Sequence, residues 1–163
     1  MEQYWRERMH KVIRGGLIAS VYIVLTIMPG LSAISFGPVQ FRISEALTVL
    51  PILYPEAIAG LFVGALIANL AGPVGLVDVI FGSLATLIAA VGTWRFRRSV
   101  WAYWSPVVVN GLLVSLYLHA FFDFPYWLTV LSIGASEALV VFTLGRLLIR
   151  KLRQIEGNTH LRR

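Results

Sequence analysis

Residues 39–51 read VQFRISEALTVLP, and this stretch decides how often the chain crosses a membrane. It places Arg42 and Glu45 beside an apolar run that is too short for an ordinary transmembrane helix. A helix needs roughly 20 residues to cross about 30 Å of hydrocarbon. The run therefore forms either a short span of its own or the first half of one longer span, kinked at Pro51 and Pro55 because proline interrupts helical hydrogen bonding.

The composition of the whole chain indicates that the lipid bilayer is its solvent. Of its 163 residues, 58% are hydrophobic and 13% are charged, and the mean hydropathy is +0.77. A soluble domain of this length could not hide so much apolar surface in one core. Cysteine is absent, which excludes disulfides and thiolate chemistry. The net charge of +6 is spread between the apolar runs, so nucleic acid is not expected as a partner.

The apolar runs predict an all-α membrane protein, a bundle of six transmembrane helices. The second and third runs are short, whereas the other four reach or approach the length of a full span. The predicted spans are residues 12–34, 39–53, 56–70, 77–92, 103–121 and 126–149. The connecting loops are short and the chain shows no repeat or long linker, so residues 1–163 are predicted to form a single domain.

The distribution of Lys and Arg favours six spans over five. With six spans, 13 of the 14 Lys and Arg residues lie on one side and only Arg42 lies on the other. Five spans would put the arginines at 95–98 or the basic tail on the wrong side, because cytoplasmic segments carry the excess of Lys and Arg. Both termini are therefore predicted in the cytoplasm, with tails at about residues 1–11 and 150–163, and the second tail is expected to fray. The first apolar run is too long for a signal peptide.

Arg42 is the one cation predicted on the outer side, and it precedes Glu45 by three residues, a spacing at which helical side chains can meet. One interpretation is a local ion pair that makes insertion of the second span tolerable. The other is that the outer loop at residues 35–42 closes over a ligand. In that case Gly37 supplies a flexible joint, Pro38 a stiff one, and the charged pair fixes where the loop rejoins the bundle.

Further polar side chains are predicted in the outer half of the bundle. Glu137 lies 11 residues into the sixth span, about 16 Å at the helical rise, and Asn110 lies at a similar depth in the fifth. An ionisable residue at such depth costs ~2.5–3.5 kcal/mol on insertion scales and is commonly functional. Asp78 and Asn69 stand near the outer ends of spans four and three, where helix capping and interhelical hydrogen bonding are the alternatives. Glu137 is therefore the leading candidate for ligand contact.

The first span carries small residues four positions apart, which pair Gly15 with Ala19 and Gly16 with Ser20. Small residues at this spacing let another helix approach closely. The spacing is equally consistent with packing inside this bundle and with a surface for a partner subunit.

Four blocks of the sequence resemble the queuosine-precursor transporter family, whose members are substrate-binding S components of energy-coupling factor transporters. The blocks are VQFRISEALTVLP at 39–51, GLFVGALIANLAGP at 60–73, GLVDVIFGSLATLIAA at 75–90 and SEALVVFTLG at 136–145. The resemblance implies a multi-pass protein of a prokaryotic cell membrane that captures 7-aminomethyl-7-deazaguanine (preQ1) from outside. It also implies three partners, namely a membrane coupling subunit and two cytoplasmic ATPases that use ATP. This chain has no G-x-x-x-x-G-K-[ST] motif of its own, in keeping with that division of labour.

The chemistry of such a ligand matches the polar side chains. The N–H donors of the base edge suit a carboxylate, and the aminomethyl ammonium suits a second carboxylate. A flat base also suits an aromatic face, worth ~1–3 kcal/mol by analogy with base stacking. Interfacial packing is the alternative for these aromatics, and for Trp127 it is the favoured one. The predicted substrate-binding residues are Gln40, Arg42, Glu45, Asn69, Asp78, Asn110 and Glu137, with Phe36, Phe81, Tyr117 and Trp127 as aromatic candidates.

Other classes of function stay open on the sequence alone. A membrane enzyme would combine Ser136, in the G-x-S of GASE, with His119, but the two are predicted at different depths and a serine nucleophile needs a base within hydrogen-bond reach. The chain could also be an S component for another vitamin-like or purine-like solute, or a helix-packing scaffold without a ligand. The favoured prediction is a solute-binding subunit that is not an enzyme and has no catalytic residue, metal site or cofactor of its own.

Overall fold

The protein is all helical in the ranges that its computed structural model describes, residues 1–28, 30–36 and 40–160, and those ranges contain no β-strand. The helices are α1 (Glu2–Ile27), α2 (Ser32–Ser35), a 3-10 helix (Ile43–Ile52), α3 (Ala57–Leu70), α4 (Ser83–Arg95), α5 (Trp101–Phe122), α6 (Tyr126–Val140) and α7 (Arg146–His160). Two π-helical turns complete the set, Asp78–Gly82 before α4 and Val141–Gly145 between α6 and α7. The predicted all-α class is confirmed.

Three of the described helices are long and apolar enough to cross a membrane. They are Glu2–Ile27 with 26 residues, Trp101–Phe122 with 22, and the continuous helix Tyr126–Asn158 with 33. The apolar helices Ile43–Ile52 and Ala57–Leu70 are shorter, as the sequence predicts. The length and composition of these three helices are those of a membrane protein, although other apolar helices are shorter than a full span.

The 3-10 helix runs antiparallel to α1. Glu45, near its start, contacts Tyr22 in the second half of α1, whereas Tyr54, just after its end, has the Arg14 guanidinium 4.2 Å from its ring centroid. The chain then turns, and α3 begins at this same end of the bundle. Residues 43–70 thus form a hairpin of two helices, so the alternative of one kinked span is wrong.

The 3-10 helix is the centre of the bundle. Each of its residues from Ser44 to Ile52 is buried, and the helix contacts α1, α4, α5, α6 and α7. At about 2.0 Å of rise per residue, a 3-10 helix of this length extends some 20 Å, about 5 Å further than an α-helix would. Because protein surrounds it, this segment does not need the length of a lipid-exposed helix.

Helices α4, α5 and α6 are antiparallel neighbours. The Ser105 hydroxyl of α5 donates to the Ala89 carbonyl of α4 at 3.0 Å, near one end of the bundle. Further along α5, Asn110 donates to Glu137 of α6 at 3.0 Å. Small residues on these helices are almost fully buried and bring the backbones close together, which hydrogen bonds between helices then reinforce.

Helices α1 and α3 cross at a close backbone contact. A Cβ at Gly60 would lie 2.4 Å from the Gly15 carbonyl oxygen, and one at Gly64 would lie 3.1 Å from that of Ala19. Two of the four predicted partner-surface residues, Gly15 and Ala19, therefore pack within this chain. Gly16 and Ser20 lie on a different side of α1 and are exposed.

The C-terminal segment from Arg150 is helical to His160, so the expectation that it frays is wrong for the described residues. Its attachment explains this, because Ile149 is buried in the core and the Tyr54 hydroxyl donates to Glu156 at 2.6 Å. Burial and this hydrogen bond raise the pKa of Tyr54 to about 12, so the phenol remains a donor at neutral pH.

Candidate functional site

A cluster of buried polar side chains occupies the half of the bundle that lies away from Arg14. Each member is at most 8% exposed. Its members, which we call the polar cluster, are Tyr22, Gln40, Arg42, Glu45, Asn69, Asp78, Asn110, Tyr117 and Glu137. They come from α1, α3, α5, α6, the 3-10 helix with the residues before it, and the π-helical turn before α4. Such a concentration of polar groups is unusual inside an apolar bundle, since each is costly to bury.

Two carboxylates in the polar cluster share one amide. The Asn110 side-chain nitrogen donates to Glu137 at 3.0 Å and, more weakly, to Glu45 at 3.4 Å. The Tyr22 hydroxyl donates to the other oxygen of Glu45 at 2.5 Å. The Asn110 side-chain oxygen is buried without a hydrogen-bond partner among the described residues. The arrangement thus offers carboxylate and amide acceptors that a ligand with several N–H groups could use.

A salt bridge forms the second part of the polar cluster. Arg42 lies 3.3 Å from a carboxylate oxygen of Asp78 and also donates from Nε to the Ser35 carbonyl at 2.8 Å. The Tyr117 hydroxyl donates to the other oxygen of Asp78. The predicted local ion pair with Glu45 is therefore wrong. Arg42 has an extended backbone and precedes the helix, so the helical spacing of three residues does not bring the two side chains together.

Asn69 and Gly82 support this salt bridge. The Asn69 side chain donates to the Asp78 carbonyl at 3.1 Å and to the Ser83 hydroxyl at 3.4 Å, joining α3 to the beginning of α4. A Cβ at Gly82 would lie 2.6 Å from an Asp78 carboxylate oxygen and 2.9 Å from the Asn69 nitrogen. Only glycine leaves the space that these two side chains occupy. Asn69 thus makes the interhelical hydrogen bonds that were the alternative to ligand contact.

A small cavity lies between the two carboxylates and the salt bridge. Its volume is about 10 Å³, which is the space of roughly one water molecule. The residues that line it are Gln40, Arg42, Glu45, Gly82, Thr86, Asn110, Val114, Ile133 and Glu137. Five of the predicted substrate-binding residues therefore meet at one place. A bicyclic base is much larger than this cavity, so the surrounding residues must move before one can enter.

The aromatic candidates divide into two groups. The Phe36 ring centroid lies 5.0 Å from the Arg42 guanidinium, and Tyr117 belongs to the polar cluster. Phe81 stacks against Tyr117 at 6.1 Å but is 42% exposed, and Trp127 is 72% exposed. The structure thus brings Phe36 and Tyr117 to the cluster and leaves Phe81 and Trp127 on the surface of the bundle.

The loop at residues 35–42, which the sequence predicts on the outer side, is held by side-chain contacts at its described ends. At one end, the Arg42 guanidinium donates to the carbonyl of Ser35, the first residue of the loop. Near the other end, the Ser136 hydroxyl lies within hydrogen-bond distance of the Gln40 carbonyl, at 3.1 Å. The predicted joints, Gly37 and Pro38, lie outside the described residues. Closure of this loop over a ligand stays a prediction.

Ser136 and His119, the candidate residues for serine chemistry, form hydrogen bonds with other groups. The single Ser136 hydroxyl proton has three carbonyls within hydrogen-bond distance, those of Ser132 at 2.8 Å, Ile133 at 3.1 Å and Gln40 at 3.1 Å. His119 Nδ1 lies 2.7 Å from the Phe124 carbonyl at the far end of α5. Over the ranges that the structure describes, no group of three or more His, Asp and Glu side chains could hold a metal ion.

Sequence reasoning missed Tyr22, which is fully buried in α1 and bonded to Glu45. A signal was available, because a tyrosine in the middle of an apolar span needs a partner for its hydroxyl. The hydrogen bond from Tyr22 to Glu45 connects α1, the helix that also carries the exposed residues Gly16 and Ser20, directly to a carboxylate of the polar cluster.

Comparison with known proteins supplies the family. Residues 12–154 match the QueT transporter family model. A similar protein is the queuosine precursor transporter QueT of Lactococcus lactis subsp. cremoris (strain MG1363), which is 37% identical over 94 residues. The alignment covers 57% of this chain and 55% of the relative, so the chain spans about half the length of the relative that it matches. No solved structure matches. The family consists of transporters and not of enzymes, and this chain belongs to the QueT transporter family.

Proposed function

We propose that the protein is the substrate-binding S component of an energy-coupling factor transporter. Its ligand is a cationic queuosine precursor, 7-aminomethyl-7-deazaguanine, bound at the polar cluster. The observation that carries the proposal is that Glu45 and Glu137 are buried in one cavity of an apolar bundle and share the Asn110 amide, while Arg42 beside them is paired with Asp78. The Lactococcus relative is named for a queuosine precursor, which agrees with this chemistry.

The balance of formal charge favours a cationic ligand. Arg42 is already paired with Asp78, which leaves Glu45 and Glu137 with neutral donors. Two carboxylates that share one amide repel each other, and burial strengthens that repulsion. A ligand ammonium placed between them would relieve it. This accounts for two acidic side chains at a depth where each is costly to bury.

The remaining groups suit the edge of a deazaguanine. The N–H donors of the base match a carboxylate oxygen and the unpartnered Asn110 side-chain oxygen. The base carbonyl matches a donor from Arg42 or the Gln40 amide, both of which line the cavity. Phe36, which lies against Arg42, is the aromatic side chain best placed to cover the base once the loop at 35–42 moves.

The membrane arrangement that we propose has six spans and both termini in the cytoplasm. Its support is the position of the described cations: all except Arg42 lie on α1 before Gly15, on the α4–α5 connection and its flanks, or on α7. The contact of Tyr54 with Glu156 brings α7 to the Arg14 end of the bundle. By the positive-inside rule that end faces the cytoplasm and the polar cluster faces outward.

Uptake against a gradient requires energy that this chain is not expected to supply. We therefore propose that a membrane coupling subunit and two cytoplasmic ATPases complete the transporter in a prokaryotic cell membrane. The exposed residues Gly16 and Ser20 of α1 offer a surface on which another helix can approach closely.

The ligand assignment is tested by titration calorimetry of the detergent-purified protein. The ligands are preQ1, its nitrile precursor, which lacks the ammonium, and guanine, with thiamine and riboflavin as negative controls. We expect preQ1 to bind at least tenfold more tightly than the nitrile, about 1.4 kcal/mol. Equal affinities would refute the charge argument, and tight binding of thiamine or riboflavin alone would point to an S component for another solute. Binding of none of the ligands by a protein that still assembles with membrane partners would favour a scaffold.

The partner assignment has its own test in α1. Gly16→Leu or Ser20→Leu should weaken co-purification with the coupling subunit and leave preQ1 affinity nearly unchanged, because both positions are exposed whereas Tyr22, the polar-cluster member on α1, is fully buried. Val21→Leu, at a 46% exposed position on another side of α1, is the matched control. Gly15 and Ala19 are unsuitable for this purpose because they pack on α3. Assembly that survives both leucines would exclude this surface.

A further inference from the structure

A basic groove lies at the end of the bundle opposite to the polar cluster, between the start of α5 and α7. It is open, has a volume of about 680 Å³, and is lined by three arginines of α7 together with Tyr103 and Phe142. We propose that this groove binds the headgroup of an anionic phospholipid, with its phosphodiester held by Arg146, Arg150 and Arg153. The inference rests on the membrane location of the protein and not on the identity of its substrate.

The three arginines face the groove together. Their spacing of four and then three residues places them on one side of α7, and all three line the groove. Among the described residues, none of these three arginines has a carboxylate within salt-bridge distance. The salt bridges in that part of the chain are Arg14–Glu56 and Arg42–Asp78. Among the side chains that the structure describes, no acidic one lines the groove. Guanidinium groups bind phosphate oxygens through paired hydrogen bonds, so an anion of this kind suits them.

Helix length places Arg146 and Arg150 at the level of the lipid headgroups and Arg153 just beyond it, from where its long side chain can reach back to a phosphate. The helix that begins at Tyr126 reaches Gly145 after 20 residues, which is about 30 Å and therefore the thickness of the hydrocarbon core. Arg146 is the next residue, so it stands where the hydrocarbon ends. Arg150 and Arg153 lie roughly 6 and 10 Å further out, and the headgroup region is about 5–8 Å deep on each side. The groove thus begins at the depth of the lipid phosphates.

The other wall of the groove distinguishes a lipid from a free anion. Tyr103 and Phe142 stack with their ring centroids 6.2 Å apart, and Leu147 beside them is 54% exposed. The Arg146 guanidinium lies 5.8 Å from the Tyr103 ring centroid, where the polar and apolar parts of the groove meet. A phospholipid presents the same sequence of groups, an anionic phosphodiester followed by an acyl chain. Inorganic phosphate would leave the apolar wall without a partner.

The test compares retention of phosphatidylglycerol and phosphatidylcholine by the full chain in neutral detergent, measured by native mass spectrometry at increasing lipid concentration. We expect phosphatidylglycerol to be retained preferentially. The triple variant Arg146→Gln, Arg150→Gln, Arg153→Gln should lose about tenfold or more of that affinity, since each arginine near an anionic headgroup contributes measurably. The matched control removes the same charge from α1, with Arg6→Gln, Arg8→Gln and Lys11→Gln, and should retain the preference.

Several outcomes would overturn the proposal. Equal retention of the two lipids would show that the groove does not select an anionic headgroup. Equal losses of lipid affinity in the α7 and α1 triple variants would show that the effect arises from net charge alone. Protection against thermal unfolding by inorganic phosphate as strong as that by phosphatidylglycerol would make the site a phosphate site. Unchanged lipid retention in an α7 variant that no longer assembles with the coupling subunit would assign the groove to a protein partner. Far-ultraviolet circular dichroism of both triple variants confirms that they are folded when these comparisons are made.

Discussion

The two ends of the bundle hold charged residues in opposite ways. In the polar cluster, charges are buried and their partners come from different helices, as with Arg42 and Asp78. At the other end, α7 presents Arg146, Arg150 and Arg153 in a row on one helix, all exposed. Buried charges require partners and therefore fix how several helices are arranged. Exposed charges require no partner within the chain. They can therefore influence the orientation of a protein in the membrane and interact with lipids or with other proteins.

The same contrast predicts where substitutions matter. Removing one member of a buried charge pair leaves the other uncompensated, whereas an exposed pair contributes little to stability. We expect the largest effect at the buried salt bridge, a smaller one at the close contact between α1 and α3, and the smallest at a single hydrogen bond of the polar cluster.

The largest effect is expected for Asp78→Asn, which leaves the Arg42 guanidinium buried without a counter-charge. We expect a loss of about 3–5 kcal/mol, seen as a strongly lowered midpoint of thermal unfolding in detergent. The control is Asp123→Asn at an exposed position with a positive φ, a conformation that asparagine tolerates. Equal midpoints for the two variants would show that burial does not distinguish these carboxylates.

A smaller effect is expected for Gly60→Ala, because its new Cβ would lie 2.4 Å from the Gly15 carbonyl oxygen. The backbones of α1 and α3 must separate to relieve this contact, at a cost of about 1–3 kcal/mol. Gly16→Ala is the control in the same pair of helices, since nothing lies within 4 Å of its Cβ position. The two unfolding midpoints should differ, with the Gly16 variant at or above the parent protein because alanine favours the helix. A Gly60 variant as stable as the Gly16 variant would contradict the close crossing.

The smallest effect is expected for Tyr22→Phe, which removes one hydrogen bond to Glu45 and leaves the ring in place. We expect about fivefold weaker preQ1 binding, or roughly 1 kcal/mol, because the carboxylate loses the donor that orients it. Tyr126→Phe on the half-buried start of α6 is the control, and titration calorimetry measures both. Identical affinities would remove Tyr22 from the polar cluster as a functional residue.

The sequence predicted the helical class, the short second and third apolar runs and the similar depth of Glu137 and Asn110, because each depends on local composition or on position along a helix. It did not predict that Arg42 pairs with Asp78, 36 residues away. Helical spacing suggested Glu45 instead, and that rule fails when the backbone before a helix is extended. Pairing between distant residues depends on how the helices are arranged, which no local pattern contains.

The small residues of α1 and the aromatics show the same limit. Four-residue spacing marked Gly15, Gly16, Ala19 and Ser20 equally, yet the structure packs two of them on α3 and exposes the other two. Likewise, depth in the membrane could not distinguish Tyr117, which is hydrogen-bonded to Asp78, from Phe81, which is 42% exposed. A helix has several sides, and the sequence of one helix does not reveal which side its neighbours cover.

The most direct test of the proposed site is a comparison of preQ1 and its nitrile precursor on the parent protein and on Glu137→Gln. Glu56→Gln is the control, since this carboxylate pairs with Arg14 at the other end of the bundle. If the two buried glutamates hold the ligand ammonium, monodisperse Glu137→Gln should lose at least tenfold in preQ1 affinity, about 1.4 kcal/mol. Its loss for the nitrile should be clearly smaller, and Glu56→Gln should bind both ligands like the parent. Unchanged preQ1 affinity in a folded Glu137→Gln protein would contradict the account and assign Glu137 to packing.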